Sequence, residues 1–230
     1  MGRKTKLLDV ENTTNTADLP AGGFSQWLSQ TRAAQRSNED VDVACGACNA
    51  CCKSSYFIHI APTESGTLRR IPKQLLFAAP GLPAGNVIMG YDENGRCPVL
   101  VDEKCSIYAD RPQTCRTYDC RVFPAAGIDG GGNEKELLNQ RIRRWKFSYA
   151  SPSDRADHAA VQASAAFLQR QADKFPSGFV PRNPAQLAVL AVIVYDVFVN
   201  HADDDRVRTE IEIATAVIER KKTFDASRRR

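Results

Sequence analysis

Eight cysteines, Cys45, Cys48, Cys51, Cys52, Cys97, Cys105, Cys115 and Cys120, fall within one stretch of 76 residues, and the other 154 positions of this 230-residue chain hold none. Any fold open to the chain has to give those thiols a chemical purpose. In an oxidising compartment they would read as a disulfide framework, and in a reducing one as metal or redox ligands. The N-terminus favours the second. Met1-Gly2-Arg3-Lys4-Thr5-Lys6 passes through Leu7-Leu8 directly to Asp9, so no secretory apolar segment develops and the expected location is cytoplasmic. The strongest hydrophobic run, Leu187 to Val199, has 13 residues and contains Asp196, whereas a span needs ~20 apolar residues, so a buried helix is expected and no membrane partner.

The spacing is C-x2-C-x2-C-C, then 44 residues, then C-x7-C-x9-C-x4-C. A C-x2-C turn sets two sulfurs on one side of a tight loop, within reach of one ion at ~2.3 Å each. Gly46, Ala47, Asn49 and Ala50 are small enough for such turns. Neighbouring side chains diverge, so Cys51 and Cys52 are expected to serve different centres. Eight thiolates suffice for two four-coordinate sites, with ligands from the two halves interleaved. Iron–sulfur chemistry is the alternative, since Cys45, Cys48 and Cys51 match the first spacings of a ferredoxin-type cluster and Cys97-Pro98 could supply a fourth ligand. Zinc and iron both accept sulfur-rich tetrahedral sites, so spacing leaves both open. An ion closed by four thiolates has no open position for substrate, which weakens an enzymatic reading.

Cys45-Gly46-Ala47-Cys48-Asn49-Ala50-Cys51-Cys52, followed by Cys97-Pro98-Val99-Leu100, Lys104-Cys105-Ser106-Ile107-Tyr108, Arg111-Pro112 and Cys115-Arg116-Thr117-Tyr118-Asp119-Cys120, resembles the YkgJ-like cysteine-cluster proteins. The resemblance covers about residues 45 to 121 and implies a CxxCxxCC domain that chelates zinc or iron. Relatives in that family include enzymes that methylate lysine on flagellin, so the resemblance also admits a protein-modifying activity with a protein partner or substrate. No segment of this chain carries that activity over.

Along the chain, residues 1–44 are expected to form a loosely attached polar arm with a short helix at Phe24 to Arg36, and 45–125 a cysteine-cluster metal-binding domain. Within it, Tyr56 to Ile60 reads as a strand, Thr63 to Phe77 as a helix, and Val87–Tyr91 with Cys97–Val101 as a hairpin turning at Asn94-Gly95. Gly130-Gly131-Gly132 reads as a linker to a helical region, 134–222, carrying apolar stripes at Leu138, Ile142, Trp145 and Tyr149, at Ala156, Ala160, Ala163 and Phe167, and at Val207, Ile211, Ala214 and Ile218. The fold class is therefore α+β: a small irregular Cys-rich domain with a short hairpin, then helices.

Hydrophobic residues at 43% and charged ones at 25% suit a globular protein with a real core, and 14 Gly and 12 Pro exclude collagen-like and low-complexity chains. His59 reads as a packed or solvated residue rather than a ligand, and His158 and His201 have no partner spacing for a metal. Arg111, Arg116 and Arg121 read as counter-charge for thiolates. Arg141, Arg143, Arg144 and Lys146 interleave with Trp145 and Phe147 as a nucleic-acid surface would, yet a helix with one solvated basic face is the better reading, which weighs against nucleic acid. The tri-glycine lacks the Lys-Ser/Thr of a phosphate loop, and there is no G-x-S-x-G. Two divalent ions on eight thiolates would take the formal charge from +4 to zero, so the basic balance is no argument for an acidic partner.

Overall fold

The computed structural model describes residues 17–37, 40, 41, 43, 47–199 and 208–227. Cys45, Gly46, His201, Val207 and both charged tails lie outside the described residues. The described residues mix helices with three small sheets, in keeping with the α+β expectation.

The first described strand, β1 (Leu19–Gly23), leads into α1 (Phe24–Ser37). Phe24, Trp27 and Leu28 of α1 are almost fully buried, so residues 19–37 are part of the main core and not the loose arm expected of them. Short polar runs on either side had hidden three large apolar residues at helical spacing. The cysteine region holds β2 (Ile58–Ile60), α2 (Ser65–Arg70), β3 (Leu76–Ala78), β4 (Val87–Met89), β5 (Leu100–Val101), β6 (Lys104–Cys105) and α3 (Gln113–Arg116). Strand β4 lies between β2 and β3, antiparallel to both, and β5 pairs with β6. The expected turn at Asn94-Gly95 is present, closed by Gly95 N–H donating to Asp92 O at 2.9 Å. The strands it was expected to join do not pair with each other. The helix expected from Thr63 to Phe77 stops at Arg70, because Pro72 cannot donate to it and pushes Ile71 into extended backbone.

Beyond Cys120 come α4 (Val122–Ala126), α5 (Glu136–Arg144), β7 (Trp145–Ser148), α6 (Pro152–Arg170), α7 (Pro184–Val194) and α8 (Glu210–Ser227). The continuous helix expected through Tyr149 ends at Arg144, where the alternation of Trp145 and Phe147 takes over, and β7 pairs in parallel with β1. Caps set the boundaries of the long helices. Ser151 accepts from Asp154 N–H ahead of Pro152, Asn183 accepts from Ala185 and Gln186 N–H ahead of Pro184, and Gly127 ends α4 with φ +68°. The buried stripe of α6 runs through Ala160, Val161, Ser164, Ala165 and Leu168; Ala156 and Ala163 of the expected stripe are exposed. No described helix is long and apolar enough to cross a membrane.

Two cores result. The larger joins α1, α4, α5, β7, α6, α7 and α8, and it takes in Cys120 and Phe123. The smaller gathers Ile60, Ile71, Met89, Val99 and Ile107, with Cys97 and Cys105 packed against its edge. Cys120 thus belongs to the larger core, while Cys97 and Cys105 edge the smaller one.

Candidate metal centre

Cys51 and Cys52 sit in a 3-10 turn, Ala50–Lys53, whose first bond runs from Cys52 N–H to Asn49 O at 2.9 Å. That turn is fastened to the β5–β6 hairpin from both sides. Cys97 N–H donates to Cys52 O at 2.7 Å, which sets the two cysteines side by side. Glu103, at the tip of the hairpin with φ +62°, accepts from Asn49 Nδ2 at 2.8 Å, pairs with Lys53 and takes Arg96 Nη2 at 2.8 Å. Lys53, Arg96 and Asn49 together hold its carboxyl well down, at about 2. Glu103 was missed in the sequence. The available signal was Asp102-Glu103 as a two-residue turn between Leu100-Val101 and Lys104-Cys105.

Within the hairpin, Leu100 opposes Cys105 while Leu100 N–H bonds back to Cys97 O at 3.0 Å, so Cys97 and Cys105 share one end. Cys115 arrives on α3, which Thr114 Oγ1 anchors to His59 O on β2 at 2.7 Å. Burial pushes the Cys115 thiol up to about 12, with the charges of Cys52, Cys97 and Cys105 adding to it and Arg111 opposing. Cys97 is pushed up to about 11, again by burial first and then by Cys52 and Cys105. Cys105 is raised by burial and by Cys52. The hydrogen bond from Cys51 leads the causes that bring Cys52 down to about 7. Cys52, Cys97, Cys105 and Cys115 thus feel one another's charge, and they come from three separate stretches of chain.

Cys51, besides its hydrogen bond to Cys52, shares a second neighbourhood with Cys120. Both bear on Tyr56 and Tyr118, whose hydroxyls lie 3.4 Å apart and whose ionisation is held up chiefly by burial. Cys120 is buried and accepts from Trp145 Nε1 at 3.1 Å. Lys135, just after the three glycines, donates to Ser54 O and Ser55 O and lies 4.0 Å from the Tyr56 ring centre, so the tri-glycine segment reaches back to the thiol loop. Cys48 is half-buried, and none of the seven described cysteines is in a disulfide.

The arginines divide. Arg111 bears on Cys105 and Cys115 while stacking 4.2 Å from the Tyr108 ring. Arg121 is paired with Asp119 at 2.9 Å, and Arg116 with Asp40 at 3.4 Å. His59 Nε2 bonds to Asn86 Oδ1 at 2.9 Å, and His158 stacks 4.3 Å from Phe24 in the main core. Among the described residues, no three His, Cys, Asp or Glu side chains are gathered closely enough to hold an ion. The donor chemistry is nevertheless that of a soft-metal site. The four coupled groups are all thiols, and Asp92, the one carboxylate that bears on Cys97, is engaged by the Asn94 and Arg96 amides.

Residues 44–142 match the family model CxxCxxCC, described as "Putative zinc- or iron-chelating domain". The match takes in the cysteine region and runs through the tri-glycine and most of α5, less than half of the chain. No curated protein and no solved structure matches the chain.

Proposed function

We propose that the chain chelates two thiophilic metal ions through all eight cysteines, one by Cys52, Cys97, Cys105 and Cys115 and the other by Cys45, Cys48, Cys51 and Cys120. The observation that supports this reading is the difference in neighbours: Cys52 bears on Cys97, Cys105 and Cys115, while Cys51, though hydrogen-bonded to Cys52, bears with Cys120 on Tyr56 and Tyr118. A divalent ion supplies the positive charge that makes thiolates favourable where burial otherwise keeps them protonated. The chain's own residues do the rest. Arg111 offsets charge beside Cys105 and Cys115, and Trp145 gives Cys120 an N–H donor of the kind that orients and tunes a metal-bound sulfur. Glu103 and Lys135 hold the C-x2-C-x2-C-C loop against the hairpin and α5.

Zinc is the proposed metal, because a closed four-thiolate site needs no redox partner. The test is anaerobic purification with a visible spectrum and counts of zinc, iron and acid-labile sulfide per chain. Colourless protein with about two zinc ions per chain supports the reading. A brown protein containing sulfide replaces zinc by an iron–sulfur cluster, and a protein that stays metal-free and fully folded after reconstitution removes chelation altogether.

A further inference from the structure

On α1, Ser25, Ser29, Arg32 and Arg36 recur at i, i+4, i+7 and i+11, which places them on one face. With Leu28 they form one wall of a cleft of about 220 Å³, closed on the other side by Asp157 of α6 and by Tyr195 in the 3-10 turn after α7. The cleft lies outside the matched segment and has no cysteine in its lining.

Its lining has donors to spare. Arg32 is 13% exposed, its Nη2 donates to Asp196 Oδ2 at 3.2 Å, and its plane lies 4.9 Å from the Tyr195 ring centre. The buried Nε–H of the same guanidinium has no acceptor among the described residues, although buried donors are nearly always paired. Asp196 is shared, since Arg220 Nε lies 2.9 Å from its other oxygen as an ion pair, without the alignment of a hydrogen bond. Arg36 lies over the Phe224 ring at 5.0 Å and has no carboxylate within ion-pair distance among the described residues. Three guanidiniums, Arg32, Arg36 and Arg220, thus stand against three carboxylates, Asp154, Asp157 and Asp196, of which Asp154 is already taken up by the Ser25 and Ser151 hydroxyls and the Ala150 amide. Burial and the nearby charge of Asp154 also push the Asp157 carboxyl up, which lessens its opposition to an anion. The Ser25 proton is committed to Asp154 Oδ1 at 2.6 Å, leaving the Ser29 hydroxyl as the third available donor.

We propose that this cleft binds a small oxyanion, a phosphate or carboxylate group, between the Arg32 Nε–H, the Arg36 guanidinium and the Ser29 hydroxyl. Planar guanidinium forks match both kinds of oxyanion. The volume admits an ion or a short acid and is below the range usual for larger ligands.

Calorimetric titration of the full chain with inorganic phosphate and, separately, with succinate at low ionic strength tests the proposal. Saturable one-site binding is expected for at least one of them, and the tighter of the two identifies the head group. Arg36→Gln should weaken that binding by roughly tenfold with little change in melting temperature. Asp157→Asn should tighten it several-fold, which loss of a merely structural carboxylate would not do. Absence of saturable binding to both anions overturns the proposal, as does unchanged affinity in Arg36→Gln or weaker affinity in Asp157→Asn.

Discussion

Trp145 was read in the sequence beside Arg141, Arg143, Arg144 and Lys146, where it could have been a stacking platform. It is 3% exposed, with Arg141 4.8 Å from its ring centre and its N–H directed at Cys120 Sγ. Local sequence does show an aromatic amid basic residues. Whether its ring faces solvent depends on β1, more than 120 positions away, and nothing local encodes that. Trp145→Phe keeps a buried ring but removes the donor and part of the indole's volume, so it should cost about 1–3 kcal/mol in thermal or denaturant unfolding and loosen metal at the Cys51 and Cys120 side. An unfolding midpoint and metal content equal to those of the parent would contradict that role for the indole. His158 makes a separate prediction. Burial holds its imidazole below the ordinary value of 6.5, despite the Pro124 and Ala125 carbonyls, while it packs against both Phe24 and Tyr149 and contacts the Tyr149 hydroxyl at 2.7 Å. The unfolded chain therefore takes up that proton more readily than the folded one. The contribution is fully present above about pH 6.5 and is lost as pH falls through the depressed folded value. Melting temperature should decline between pH 7 and 5 in the parent and less steeply in His158→Gln, and parallel profiles would show that another group is responsible.

At the scale of elements, legibility followed the range of the interaction. Helices with local caps, such as α6 and α7, could be placed from Ser151-Pro152 and Asn183-Pro184 because the signal lies within four residues of the boundary. The Asn94-Gly95 turn was equally visible, but its strands were paired wrongly, since β4 has partners on both sides drawn from 58–60 and 76–78. The parallel β1–β7 pair had no local signature, and Pro20 and two glycines in β1 argued against a strand at all. The turn itself can be tested. Gly95 has φ +73°, and a Cβ there would stand 2.4 Å from the Oγ of Ser55, which follows the cysteine pair after Lys53 and Ser54. The hydroxyl can rotate aside, but the backbone cannot relax while Ser55 N–H is bonded to Gly95 O at 2.9 Å. Gly95→Ala should therefore destabilise by about 1–2 kcal/mol. A loss well below that in chemical denaturation would show that the turn refolds around the new side chain.

At the scale of the whole molecule, the thiols are not confined to a self-contained module. Cys120, Val122, Phe123, Leu138 and Ile142 of the matched segment pack in one cluster with Phe24 and Trp27 before it and with Val161, Leu168, Leu190 and Val194 after it. The segment 44–142 expressed alone would leave Phe123, buried completely in the full chain, without most of that packing. It should yield a loosely packed species with poor chemical-shift dispersion even when metal is supplied. The eight thiols could be named as candidate ligands from the sequence, because spacing and residue type are local. The proposed division rests on more than the expectation that Cys51 and Cys52 diverge, since the neighbours of each depend on how the hairpin and α3 are brought back to the 3-10 turn. That division gives the sharpest whole-molecule prediction. If the proposed pairing holds, Cys115→Ser should release one metal ion of about two and leave the other, and Cys48→Ser should release the opposite one. Cys115→Ser should then free the β5–β6 hairpin from the Ala50–Lys53 turn, and Cys48→Ser should loosen the contacts around Tyr56, Tyr118 and Trp145. Hydrogen exchange at Cys97 N–H, bonded to Cys52 O, separates the two cases: it should accelerate strongly in Cys115→Ser and little in Cys48→Ser. Equal acceleration in both variants, with both ions lost together, would mean that the eight thiols hold a single shared centre.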